Sequence, residues 1–175
     1  IGGNDQESLN RMILTIDGNY LLSGSSRSSI SGDKTSNSRG LNDYWIVIID
    51  TEGNIIGQKT IGGSESEGLT NIIETPDGGY FVGGSSFSGI SGEKSEASRG
   101  QSDYWVLKLD RDGKIEWQQN FGGNYSDELR SITQTKDGGF LLGGSSNSLD
   151  NGTKLQKNRG EADFWVIRID KDGKE

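Results

Sequence analysis

Residues 43–50 alternate with period two: Trp45, Val47 and Ile49 share one face, and Tyr44, Ile46 and Ile48 share the other. Such alternation predicts a β-strand with apolar surface on both sides. The pattern returns at 103–110 with Trp105, Leu107 and Leu109, and at 163–170 with Trp165, Ile167 and Ile169. The opposite face then carries Lys108 and Arg168. One face is expected to be always buried and the other buried to a varying depth, which suits a sheet packed between two neighbouring sheets.

These strands lie 60 residues apart, and so do the rest of the chain's features. Gly-Gly follows Ile1, Ile61 and Phe121; Asp17, Asp77 and Asp137 match, as do Arg39, Arg99 and Arg159. One unit is therefore written three times without insertion or deletion, and repeat length plus strand content nearly fix an architecture. In the second copy the pattern predicts strands at 71–75, 80–86, 103–110 and 115–121. Pro76-Asp77-Gly78-Gly79 and Arg111-Asp112-Gly113-Lys114 are tight turns, with Gly where a left-handed backbone is needed. A Ser/Gly-rich loop spans 87–102, and Gly122-Gly123 opens the link to the next copy.

Four strands joined by two hairpin turns and two longer connections form a meander. Meanders repeated radially form a β-propeller; a linear β-solenoid is the alternative, with shorter coils and no need of two hairpins per repeat. The expected fold is all-β: a propeller segment of three four-stranded antiparallel blades, all in one domain. Blade 1 with its preceding link is 1–61, blade 2 is 62–121, and blade 3, lacking most of its outer strand, is 122–175. If the Gly-Gly link crosses between blades, the first strand is innermost. The long loop and the link then share one rim, and the tight turns share the other.

LDRDGKIEW (Leu109 to Trp117) resembles the bacterial pyrroloquinoline-quinone-type propeller repeat, although Gly57 replaces the Trp in copy one. DYWVLKLD, TKDGGFLLGGSS (Thr135 to Ser146) and SGDKTSNSRG (Ser31 to Gly40) resemble more closely the delta-sixty-type repeats and the repeat arrays of secreted or surface proteins of the Bacteroidota. The resemblance covers the whole chain. It implies an extracellular or outer-surface location on a Gram-negative bacterium, and it implies no activity, because a fold does not carry a function.

Composition narrows the field by exclusion. The apolar fraction of 29% is low, but 28 glycines bring the total into the range of globular domains, so a core is expected. A net charge of −8 leaves no basic stripe for nucleic acid. No apolar run approaches the roughly 20 residues of a membrane helix. With neither His nor Cys, the Ser-His and Cys-His arrangements are absent and a zinc site lacks its usual ligands. The first residue is Ile1 rather than Met, so a processed chain or a piece of a longer one is expected.

The long loops at 27–42, 87–102 and 147–162 are the candidate site, since loops on one rim of a rigid scaffold commonly carry function. Asp33, Lys34 and Arg39 recur as Glu93, Lys94 and Arg99; copy three keeps Lys154 and Arg159 but has Thr153 for the acid. They form either a rim for a glycan or protein, or anchors in which each Arg pairs with the following Asp43, Asp103 or Asp163 to pin its loop. Tyr125 is a ligand candidate because it breaks the repeat. Asp50 and Glu52, Asp110 and Asp112, and Asp170 and Asp172 sit in the outer turns with a Gly after them. Such spacing fits either part of a calcium loop or carboxylates accepting amide bonds within their own turn. Asp5, Glu7, Glu65, Glu67, Asp127 and Glu128 in the links are expected to form a solvated acidic rim, with a metal role as the alternative.

The resulting expectation is a non-enzymatic scaffold, binding protein or glycan through the loop rim and using no cofactor beyond calcium. The alternative is a carbohydrate-active propeller enzyme whose catalytic residues lie in other blades. Three blades leave two apolar flanks open, so further blades of a longer chain or other copies are expected to cover them.

Overall fold

In a computed structural model describing residues 1–175, the chain is all β. Blade 1 contains β1 (Glu7–Leu14), β2 (Tyr20–Ser26), β3 (Asp43–Ile49) and β4 (Ile55–Ile61). Blade 2 contains β5 (Glu67–Glu74), β6 (Tyr80–Ser86), β7 (Asp103–Leu109) and β8 (Ile115–Phe121). Blade 3 has β9 (Asp127–Gln134), β10 (Phe140–Ser146) and β11 (Asp163–Ile169). Each sheet is an antiparallel meander in chain order, with four, four and three strands. The hairpin turns place Gly18, Gly53, Gly78, Gly113 and Gly138 at positive φ, as the turn after β11 does Gly173, the geometry that favours Gly.

The first strand of each blade is longer than the alternation predicts. In place of 71–75, β5 begins at Glu67. A β-bulge explains the difference: the pairing of β5 with β6 jumps between Leu69 and Asn71, leaving Thr70 unpaired. The bulge shifts the phase, so Leu69 and Ile72, three residues apart, both point inward and are both fully buried. Blades 1 and 3 carry the same bulge, at Leu9/Arg11 and opposite Gly143/Gly144.

Two apolar cores lie between blades. The first joins Leu21, Tyr44, Ile46 and Ile61 of blade 1 to Leu69, Ile72, Val82, Trp105 and Leu107 of blade 2. The second repeats the arrangement between Phe81, Tyr104, Val106 and Phe121 of blade 2 and Leu129, Ile132, Leu142, Trp165 and Ile167 of blade 3. The tryptophan face of a blade thus looks back to the preceding blade and the tyrosine face looks forward. Across each junction a tyrosine ring meets a tryptophan: Tyr44 on Trp105 at 5.2 Å and Tyr104 on Trp165 at 5.0 Å. The hydroxyls of Tyr44 and Tyr104 donate to the carbonyls of Trp105 (3.1 Å) and Trp165 (3.2 Å), so each buried phenol is satisfied. Within blade 2, Lys108 replaces an apolar residue on the forward face. It stays buried because Asp77 (3.0 Å) and Glu116 (3.2 Å) neutralise it.

Candidate interaction rim

The long loops and the Gly-Gly links emerge on one rim, as the strand order requires. Each link lies on the loop of its next blade: the amides of Asp33, Glu93 and Thr153 donate to the carbonyls of Gly2, Gly62 and Gly122. Isolated parallel bridges, Asn42 with Ser66 and Ser102 with Ser126, tie each loop end to the following link.

The two amides of each Gly-Gly pair are held by two different groups. Asp33, Glu93 and Thr153 accept from Gly2 (2.9 Å), Gly62 (3.1 Å) and Gly122 (2.8 Å). Thr153 therefore keeps the function of the acid it replaces, which the sequence reading of that position did not reveal. Glu7, Glu67 and Asp127 accept from Gly3 (3.1 Å), Gly63 (2.7 Å) and Gly123 (2.8 Å). Glu67 also accepts from the hydroxyls of Ser86 (2.8 Å) and Ser88 (2.6 Å). The expectation of a solvated acidic rim fails for Glu67 and Asp127, both fully buried. The signal was present in the sequence: these acids and the serine pairs that face them recur at the same spacing. Glu7, at the open edge, shows the energetic balance. Burial pushes its carboxyl up, but bonds from Ser28, Gly3 and Ser26 outweigh that and hold it below the usual carboxylate value.

The predicted binding residues divide into two groups. Lys34, Lys94 and Lys154 are buried inside the loops and removed from any ligand on the rim, a correction to their candidacy. Lys34 and Lys94 lie over the rings of Trp45 (5.3 Å) and Trp105 (5.2 Å). The ammonium of Lys94 donates to Asn120 Oδ1 (2.5 Å), and that of Lys154 donates to the carbonyls of Ser148 and Gln156 and to Asn158 Oδ1. The expected Arg–Asp pairing exists through the backbone. The amides of Arg39, Arg99 and Arg159 donate to Asp43 (2.8 Å), Asp103 (3.0 Å) and Asp163 (2.5 Å). The guanidinium of Arg99 also pairs with Asp103 at 3.7 Å and donates to the Asn120 carbonyl at 2.9 Å, whereas that of Arg39 bridges to Glu93 of the next blade at 2.7 Å and Arg159 is exposed. Tyr125 is exposed on the rim.

Lys94 makes this anchor pH-dependent. Burial, opposed by the carboxylates of Asp103 and Glu67, lowers its pKa from 10.5 to about 8. Between those values the unfolded chain binds the extra proton and the folded chain does not, so stability rises with pH across this window. Above about pH 10 the buried tyrosines Tyr44 and Tyr104, whose pKa values burial raises, reverse the trend. We therefore expect the melting temperature to climb between pH 8 and 10 in the wild type, with a shallower climb in Lys94→Met. A wild-type profile that is flat or falling over that range would contradict the buried-ammonium assignment.

In the outer turns, Asp50 accepts the amides of Glu52 (3.0 Å) and Asn54 (2.8 Å). Asp110 accepts those of Asp112 (3.0 Å) and Lys114 (2.8 Å), and Asp170 those of Asp172 and Lys174 (both 2.9 Å). The Asn54 side-chain amide, which donates to Asp50 Oδ2 at 2.9 Å, together with these backbone bonds holds the Asp50 carboxyl below the usual value, and the backbone bonds from Lys174 and Asp172 do the same for Asp170. The second acid of each turn is exposed, and no group of three or more His, Cys, Asp or Glu side chains is placed to hold a metal. The donor set is that of a turn cap and does not fit the six or more oxygens of a calcium site.

The sequence reading missed what the rim exposes. Ile30, Leu41, Phe87, Ile90, Leu149 and Leu155 project from the loops, with Ile90 at 72% and Leu155 at 76% exposure. Phe87, Leu149 and Leu155 each occur in one copy only. That asymmetry, like that of Tyr125, was the available signal. No protein-family model and no curated protein matches the chain. No helix long and apolar enough to cross a membrane is present.

Proposed function

We propose that the chain is a non-enzymatic interaction scaffold that binds a protein partner through its loop rim and needs no metal. One observation carries this reading: large apolar side chains project into water from loops that are tied to the Gly-Gly links by internal hydrogen bonds. Ile30, Phe87, Ile90, Leu149 and Leu155 cost solubility and contribute nothing to either core. Exposed apolar surface on a rigid rim is typical of protein interfaces. Within each loop, Lys94 or Lys154, Glu67 or Asp127 and the Gly-Gly link fix the backbone that presents them, so little ordering entropy is lost on binding. An extracellular setting is part of the proposal and rests on the resemblance to secreted Bacteroidota repeats.

The test is retention of surface and secreted proteins from the source bacterium on the immobilised chain. A variant carrying Ile30→Ser, Phe87→Ser, Ile90→Ser, Leu149→Ser and Leu155→Ser serves as control. The expected result is a defined protein held by the wild type and lost from the variant at unchanged melting temperature. Equal retention by both chains, or capture of glycans only, would remove the proposal.

A further inference from the structure

We propose that the second blade forms a covalent bond within itself, an isopeptide between the side chains of Lys94 and Asn120, with Asp103 as the acid catalyst. The three groups meet in a closed space between the long loop, β7 and β8. Lys94 is 2%, Asn120 3% and Asp103 0% exposed. Lys94 Nζ lies 2.5 Å from Asn120 Oδ1, which places the amine against the side-chain amide. Asn120 Nδ2 donates to Asp103 Oδ2 at 2.6 Å, so the acid touches the nitrogen that must leave. The amide of Arg99 donates to the same oxygen at 3.0 Å, while Asp103 Oδ1 is buried without a partner and free to carry a proton. The Trp105 ring, its centroid 5.2 Å from Lys94 Nζ, closes one side.

Burial favours the reactive protonation states. It lowers the pKa of Lys94 and raises that of Asp103, so a neutral amine and a neutral acid gain ground on two buried ions. The lone pair of Nζ attacks Asn120 Cγ, the new C–N bond forms, and the carbonyl electrons move onto Oδ1. Asp103 gives its proton to Nδ2 and recovers one from Nζ. The carbonyl then re-forms, the Cγ–Nδ2 bond breaks, and ammonia leaves with the electron pair of that bond. No oxidant, metal or cofactor enters the balance, and Asp103 ends as it began. The product ties the loop to the outer strand across 26 residues. The rise of melting temperature with pH described for Lys94 belongs to the chain before this bond forms, since an acylated Nζ no longer titrates, and it should fade as the bonded fraction grows.

The other loop lysines lack one part each. In copy one Thr60 stands where copy two has Asn120. Its hydroxyl accepts from Ser36 at 2.7 Å and offers no carbonyl carbon, so the equally buried Lys34 has nothing there to attack. In copy three Lys154 Nζ donates to Asn158 Oδ1 at 2.6 Å. Asn158 Nδ2, however, donates to the carbonyls of Ser146 and Glu161 and meets no acid. Lys94 alone among the three has both an amide at its amine and a carboxyl at the leaving nitrogen.

Mass spectrometry of the chain, incubated at neutral pH until its mass is constant, tests this directly. The expected intact mass is lower by one ammonia than the sequence requires, and trypsin should release a branched peptide joining residues 60–99 to residues 115–130. Lys94→Arg and Asn120→Thr, each of wild-type circular dichroism, should give no branched peptide. Asp103→Asn should form it about a hundredfold more slowly or less, the lower range of general acid–base catalysis. A folded wild type without the branched peptide overturns the proposal, whatever the variants do. It does so even where ammonia is lost, which then points to ring closure at Asn151-Gly152. Equal rates in the wild type and Asp103→Asn overturn the role of the acid, as does a second branch between Lys154 and Asn158.

Discussion

Replacing Gly84 by Ala is expected to cost about 3 kcal/mol or more, the upper end of what overpacking costs, while Gly143→Ala, one register position away in blade 3, is neutral. The two glycines lie in equivalent β6 and β10 strands and read alike in the sequence. Their surroundings differ. A Cβ on Gly84 would lie 1.9 Å from the carbonyl oxygen of Gly68 and 2.9 Å from Leu69 Cα. These are backbone atoms of the β5 bulge, so neither can swing aside as a side chain would. Gly24 and Gly144 meet the same obstacle, with contacts of 1.8 and 2.0 Å to the carbonyls of Ser8 and Glu128. Gly143 meets nothing within 4 Å, because its face of blade 3 is an open flank. Gly83, its counterpart in blade 2, meets Ile132, Leu129 and Val106 across a closed junction. At roughly 2–4 °C per kcal/mol for a chain of this size, Gly84→Ala should lower the melting point by about 6–12 °C, measured by circular dichroism. Equal melting points for the two variants would mean that the bulge does not press on β6 as described.

The same bulge marks where the sequence stopped being readable. Period-two alternation located β3, β7 and β11 because they run without interruption, and Gly at the turns located the hairpins. The start of β5 was invisible, because an extra residue at Thr70 moves Leu69 and Ile72 out of phase, and a phase count reads that as loop. The rim was legible in part. Recurrence identified Lys34, Lys94, Lys154 and the arginines as belonging to the loops. Chemistry alone does not say whether a lysine in a Ser/Gly-rich loop points out or lies over a tryptophan, since the partner comes from a strand several residues later. The acids were misread for a related reason. Glu67 and Glu65 are two residues apart in one acidic link, yet Glu67 is fully buried under two serine hydroxyls and Glu65 is exposed. The open flanks were foreseen from the count of blades. Which face of each strand looks forward to the next blade required the coordinates.

Those faces also separate three tryptophans that recur identically along the chain. Trp105→Ala is expected to cost about 3–5 kcal/mol, the range for removing a fully buried aromatic, and Trp45→Ala about 1–2 kcal/mol less. Both residues share their immediate setting. Each pairs across strands with a glycine, Gly84 or Gly24. Each indole N–H donates to a glutamine, Gln118 at 2.9 Å or Gln58 at 3.3 Å, and each lies under a lysine ammonium. The difference is the neighbouring blade. Trp105 is 1% exposed, carries the Tyr44 ring, and receives the Tyr44 hydroxyl at its carbonyl. Trp45 faces the unfilled flank. An aromatic pair contributes about 0.5–1.5 kcal/mol beyond its buried area, and a void at Trp45 opens to water instead of being sealed within a core. Chemical denaturation of both variants at equal concentration measures the difference. Equal losses would show that the junction adds nothing to a blade's own tryptophan.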